Sequence, residues 1–244
     1  MEKFWRRATT PVTYIVLLVV WELSVRIFAV PSWILPAPTL ILATARGWAP
    51  DLIYNSYITI AETLVGFLLA LALSLPLAIM IAFTVVLRQL LLALQSIPKV
   101  ALAPLVILWL GVGTAPKVVV VILVSFFPIL VNVVAELEAV PKPMLDLMHS
   151  LKASEAAIFR RVRAPFATPY LFTGCKIAIT FAVIGAVIGE FVAAQEGLGY
   201  MIIVSTAQSL TPLAFAAIIL LTFISIGFFY AVEFLERRLV TWHL

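Results

Sequence analysis

Few residues in this sequence have the types and spacing that chemistry needs. There is no G-x-x-x-x-G-K-[ST] phosphate loop, and no paired cysteines or closely spaced histidines offer a metal site. The two histidines, His149 and His243, read as solvated polar residues. The single cysteine, Cys175, excludes an internal disulfide framework and reads as a small packing residue at a helix start. No grouping of Asp, His and Ser suggests a hydrolase. What remains is a handful of polar groups in apolar surroundings: Glu62, Asn132 and Glu190. These residue types suit binding or movement of a solute rather than its transformation. The expectation is therefore a non-enzyme with no catalytic residue, metal or cofactor of its own.

The elements that must position these groups follow from composition. Of 244 residues, 64% are hydrophobic and 11% charged, whereas a soluble domain carries about 25% charged residues. Mean hydropathy is +1.17. Both point to an integral membrane protein with little room for a soluble domain. The opening MEKFWRRATT resembles the basic flank of a signal peptide, but no A-x-A-like site follows its apolar run, so it reads as an uncleaved span. A crossing helix needs about 20 mainly apolar residues. Six segments qualify: Val12 to Val30, Ile58 to Val86, Leu90 to Leu110, Val118 to Ala135, Phe166 to Ile188 and Leu213 to Val232. The fold class expected is all-α and polytopic, with no internal repeat.

Six spans put both termini on one side. Lys3, Arg6, Arg7, Arg88, Lys142, Lys152, Arg160, Arg161, Arg163, Arg237 and Arg238 fall on that side, with Arg46 and Lys117 on the other. The positive-inside rule makes the first side cytoplasmic. Clustered cations beside spans report topology, not nucleic-acid binding. The outer segments are then Pro31 to Asn55, Gly111 to Lys117 and Glu190 to Pro212. Pro31, Pro36 and Pro38 bias the first to extended or turn conformations. The last is too broken by Gly197, Gly199 and Pro212 to span, and either dips into the membrane or lies on it.

A charge at a helix centre costs about 2.5–3.5 kcal/mol on insertion scales, so such groups face protein or water. Glu62 falls near the outer boundary, where snorkelling to the interface is the plain reading. For Glu190, pore-mouth and interfacial placement are both open, as are an interhelical hydrogen bond and substrate contact for Asn132. Pro98 and Pro104 break the third span around Lys99, and broken spans often line transport paths. In the fifth span Gly174, Ala178, Ala182 and Ala186 recur every four residues, and Gly185 with Gly189 adds a G-x-x-x-G match. Small residues let helix backbones approach. Packing within the subunit, a subunit interface and a path wall are all compatible with this ridge.

Residues 136–163 form the longest cytoplasmic loop. Ser154 is an N-cap candidate, and Glu155 in the first turn suits the helix dipole. Ala156, Ala157, Ile158 and Phe159 continue a short helix, and Arg160 and Arg161 suit its C-terminal end. Arg163 and Pro165 then return the chain to the membrane. The segment reads either as a basic interfacial helix that fixes topology or as a smooth knob, with Ile158 and Phe159 as anchors, for a groove on another protein.

The stretch ASEAAIFRRVRAPFATPYLFTGCKIA resembles the coupling-loop signature of binding-protein-dependent ABC transporter permeases. SIPKVALAPLVILWLGVG, FFPILVN and VIGEFVAAQEGLGYMI resemble the nitrate/sulfonate/taurine branch, and within it permeases proposed for thiamine-pyrimidine and riboflavin uptake. The resemblance covers Leu35 to the C-terminus. It implies a type I permease core over 35–244, preceded by 1–34 as the cytoplasmic N-terminus and first span. Two features depart from the family pattern: Lys152 stands where glycine is usual, and Ala164-Pro165 where Leu-Pro is usual. A positive φ at Lys152 would strain the lysine.

The resemblance further implies an importer subunit of the cell inner membrane, working with separate cytoplasmic ATP-binding cassette subunits that hold ATP and magnesium. An extracytoplasmic solute-binding protein and a second permease copy, most simply a homodimer in membrane lipid, complete the expected assembly. Ala153, Ser154, Glu155, Ala156, Ala157, Ile158, Phe159, Arg160 and Arg161 would be the docking segment. Pro98, Pro104, Asn132, Ala178, Ala182, Gly185, Gly189 and Glu190 are candidates for the pathway or an interface. The rival reading is an autonomous channel or secondary transporter, which needs a midplane ionisable site.

Overall fold

The structure is a computed structural model that describes residues 2–82 and 93–241, with side chains from residue 12 onward, Ala193 excepted. Arg88 and His243, and the side chains of Lys3, Arg6 and Arg7, lie outside the described residues. Regular structure among the described residues is helical: α1 Glu2–Ile27, α2 Pro38–Gly47, α3 Ala49–Ala82, a 3-10 turn Lys99–Leu102, α4 Ala103–Leu110 and α5 Thr114–Glu138. Then follow α6 Lys142–Ser150, α7 Glu155–Ile158, a π-turn Phe159–Arg163, α8 Ala164–Ala193, α9 Leu198–Ala207 and α10 Thr211–Leu239.

Among the described residues four helical stretches are long and apolar enough to cross a membrane: 49–82, 114–138, 155–192 and 211–239. Three match expected spans: the fourth and sixth run two to seven residues further at each end, and the second begins nine residues earlier, at Ala49, with its expected end, 83–86, outside the described residues. The fifth expected span differs. Pro165 does not break the chain, because proline is tolerated in the first turn of a helix, and α7, the π-turn and α8 run on as one 38-residue helix. The third expected span, Leu90 to Leu110, is not one helix. Residues 93–95 are helical, Pro98 interrupts them, and α4 restarts with Pro104 in its first turn. The first outer segment is also more helical than its prolines suggest, because Pro38 opens α2 rather than ending it.

Three helices supply most of the main core cluster among the described residues. α5 lies between α3 and α8, and the residues that meet it are small. A Cβ on Gly66 would overlap the Val121 side chain. One on Gly185 would lie 3.0 Å from Val121 Cα, one on Gly189 3.0 Å from Lys117 Cα, and one on Gly174 3.1 Å from Asn132 Cβ. Ala178, Ala182 and Ala186 are fully buried in the same seam. The ridge of the fifth span therefore packs inside this chain, with van der Waals contact supplying the association that hydrophobicity does not drive in lipid.

The contacts also set direction. Glu62 and Gly66 of α3 meet Lys117 and Val121 of α5 in the same order, so these helices run parallel. The chain between them must return along the bundle. Ala103 and Val106 pack on Val120 and Val124 while Lys99 lies over Phe127, so residues 99–110 run antiparallel to α5. The broken segment thus travels in the direction expected of a third crossing. Outward faces of α3 and α10 expose Leu68, Leu73, Phe223, Tyr230 and Phe234, an apolar surface suited to lipid.

Candidate functional site

Three places hold the residues singled out by type and spacing. At one end of the bundle is the segment 153–161. α6 closes in a Schellman motif: Lys152 N–H donates to His149 O at 2.9 Å and Ala153 N–H to Met148 O at 3.1 Å. The residue at the left-handed position is Lys152, at φ 52°. Ser154 then caps α7, its Oγ accepting from Ala157 N–H at 3.3 Å. Glu155, with its carboxylate 3.4 Å from His149 Nε2, sits in the first turn.

The exposed tip is made by Ser154, Glu155, Ala156, Arg160 and Arg161, with Ala153 and Ala157 half-buried. Ile158 and Phe159 do not extend the tip. Ile158 is 1% exposed and Phe159 packs against the core, so both anchor the segment to its own chain. The smooth outward surface expected of a knob is present, but its apolar anchors point inward.

The second place is a cleft of about 700 Å³ between residues 95–100, α5 and α8. Lys99, Phe127, Asn132, Phe181 and Ile184 line it. Lys99 Nζ lies 4.4 Å from the Phe127 ring centroid and donates to Gln95 O, a carbonyl near the break at Pro98. Asn132 donates to Pro128 O at 2.7 Å, within its own helix, and not to a neighbouring helix. Of the pathway candidates, Asn132 lies on the cleft and Pro98 sits between two lining residues, Ile97 and Lys99. Pro104 is exposed on α4, and Ala178, Ala182, Gly185 and Gly189 are in the α5–α8 seam.

The third place is a polar cluster at the opposite end of α8. Glu190 is 1% exposed. Its Oε1 accepts from Thr59 Oγ1 at 2.7 Å and its Oε2 from Gly199 N–H at 2.6 Å. Thr59 Oγ1 accepts from Leu198 N–H at 2.9 Å, and Asn55 Oδ1 from Gly197 N–H at 2.6 Å. The loop after α8 is thus stitched to α3 and folded around one carboxylate. Gly197, at φ 114°, has no room for a side chain, since a Cβ would clash with Oε1 of the Glu190 carboxylate. On Gly199 a Cβ would lie 2.7 Å from Glu190 Oε2.

Beside this cluster Glu62 pairs with Lys117, both side chains almost wholly buried. Glu62 therefore does not snorkel. Its partner is a lysine on the parallel neighbour helix, which meets one carboxylate oxygen, while the other, Oε2, is buried with no hydrogen-bond partner among the described residues. The sequence reading weighed Glu62, Lys117 and Glu190 separately and missed their convergence. A signal was present: Asn55, Thr59, Glu62 and Gly66 share one face of α3 at helical spacing. Also missed were Glu22, which binds Arg26 and Thr39, and the Lys176–Glu236 pair at 2.7 Å between α8 and α10.

Comparison with known proteins places this geometry. The model of the family described as binding-protein-dependent transport system inner membrane component matches residues 9–241. The chain belongs to this family. It is 37% identical over 251 residues to the riboflavin transport system permease protein RibX of Chloroflexus aurantiacus, covering 99% of this chain and 93% of that protein. It is 32% identical to the formylaminopyrimidine transport permease protein ThiX of Halalkalibacterium halodurans, covering 99% and 98%.

Among solved structures, an inward-facing MetNI methionine ABC transporter chain superposes with TM-score 0.66 at 20% identity, covering 79% of this chain and 97% of that one. A chain of an amino acid ABC transporter superposes with TM-score 0.62 at 19% identity, covering 81% and 98%. At that identity the likeness speaks for the fold, which is the all-helical fold of ABC importer permeases. This binding-protein-dependent permease is a multi-pass transport subunit of the inner membrane, and its relatives are transport permeases rather than enzymes.

Proposed function

We propose that this permease carries a small solute through the cleft beside Lys99 and Asn132, driven by ATP-binding cassette subunits docked on residues 153–161. The observation that carries this reading is the continuity of one helix. The exposed tip at Glu155 and Ala156 and the cleft wall at Ile177, Phe181 and Ile184 belong to the same uninterrupted stretch, 155–192. A displacement imposed at the tip reaches the cleft wall without crossing a loop. Two states biased at one site are what such coupling requires.

The cleft is open along one side, which supports closure by a second copy of the chain in a homodimer. The segment 194–207, held on Glu190 at the other end, supports docking of a solute-binding protein there. Positive-inside charge supports a cytoplasmic tip and cytoplasmic termini. ATP and magnesium belong to the cassette subunits. The solute is of the class named for the relatives, a riboflavin-like or pyrimidine vitamin precursor, with the wider sulfonate and nitrate branch as the alternative.

Ala156→Arg tests the docking. The residue is exposed, so the substitution leaves the fold intact while placing a bulky cation on the tip. Cassette subunits should no longer co-purify, and ATP-driven uptake should fall more than tenfold at normal membrane levels. Retention of both would refute the docking role.

A further inference from the structure

The cleft holds one cation without an acid. Lys99 enters it from the 3-10 turn, half-buried, with its ammonium on the Gln95 carbonyl and the face of Phe127. Among the described residues no carboxylate meets it. Lys117 and Lys176 differ, since each holds a glutamate. An ammonium has three donors. One goes to Gln95 O and a ring face takes a second side, so the group retains capacity toward the cleft. Asn132 lines the same space with one of its N–H groups on Pro128 O, leaving a second N–H and its carbonyl oxygen. Phe181 and Ile184 supply exposed apolar wall. A few convergent polar groups in an apolar cavity of several hundred Å³ are the features of a small-molecule site.

We infer that Lys99 is a solute-contacting residue of the pathway, which draws in a carbonyl, sulfonate or phosphate oxygen carried on a compact, flat or apolar frame. The cation disfavours positively charged solutes at the same point. This rests on the reading of the cleft as the pathway. The alternative is a lysine that only braces the break at Pro98 by binding the Gln95 carbonyl.

The test uses the permease assembled with its own cassette subunits and binding protein in proteoliposomes, with riboflavin, a formylaminopyrimidine and butanesulfonate as probes. Lys99→Met keeps the stem and removes the charge, and it should raise the uptake KM for the transported probe about tenfold with normal incorporation. Lys99→Arg should restore most of the loss. An unchanged KM in Lys99→Met overturns the inference, as does a defect confined to Vmax and incorporation, which is the signature of a brace. Ile184→Cys in a Cys175→Ala background separates the two layers. Labelling by a membrane-impermeant thiol reagent that the probe slows supports the pathway. If that cysteine is labelled and protected while Lys99→Met is normal, only the lysine's role falls. If it is inert throughout the ATP cycle, the pathway reading falls with it.

Discussion

The ion pair between Glu62 and Lys117 gives the sharpest quantitative test of the packing. Its side chains are 3% and 6% exposed, so neither is screened by water. Glu62→Gln leaves a buried ammonium without its counter-ion, and Lys117→Met leaves a buried carboxylate. Removing one partner of a buried pair costs about 3–5 kcal/mol, whereas replacing both is often close to neutral. Each single variant should therefore lose about 3–5 kcal/mol and the double variant much less than their sum, a coupling of about 3 kcal/mol or more. At roughly 2–4 °C per kcal/mol for a chain of this size, the single variants should melt about 6–20 °C below wild type. Thermal unfolding in detergent, followed by tryptophan fluorescence, reads all four proteins under one condition. Additive losses, with coupling below about 0.5 kcal/mol, would show that the two groups do not depend on each other.

Two other substitutions probe the backbone. Lys152→Gly places glycine at the left-handed position of the Schellman motif, where a side chain costs about 1 kcal/mol or more, and should raise the melting temperature by about 2–4 °C with uptake unchanged. Gly197→Ala combines a strained φ of 114° with overlap on the Glu190 carboxylate. It should cost about 4 kcal/mol and make residues 194–199 sensitive to limited proteolysis.

Four of the expected spans were legible in the sequence because apolar length alone decides them, whereas the broken third was read as a single crossing. The α5–α8 seam was legible as a ridge, since four-residue spacing puts Ala178, Ala182 and Ala186 on one face whatever they touch. The partner of that face was not, because periodicity in one helix carries no information about its neighbour. Ser154 could be identified as a cap from its type and the acid after it. The inward turn of Ile158 and Phe159 could not, because it depends on the π-turn at Phe159–Arg163 that keeps α7 in line with α8. The same limit hid the Glu62–Lys117 pair. Each charge alone looked like an edge residue, and only the parallel packing of α3 and α5 shows them to be partners.

That pair and the Glu190 cradle also constrain how the protein is made. Glu62 leaves the ribosome 55 residues before Lys117 and 137 before Gly199. At about 5–20 residues per second, the acid waits roughly 3–11 s for its lysine, and the cradle is complete only after about 7–27 s. An unpaired charge in an inserting helix costs up to about 2.5–3.5 kcal/mol, the value for the helix centre. The second span therefore enters the bilayer carrying an incomplete site. Residues 197–199, among the last parts of the cluster to be synthesised, are the ones whose N–H groups complete it by binding Asn55, Thr59 and Glu190.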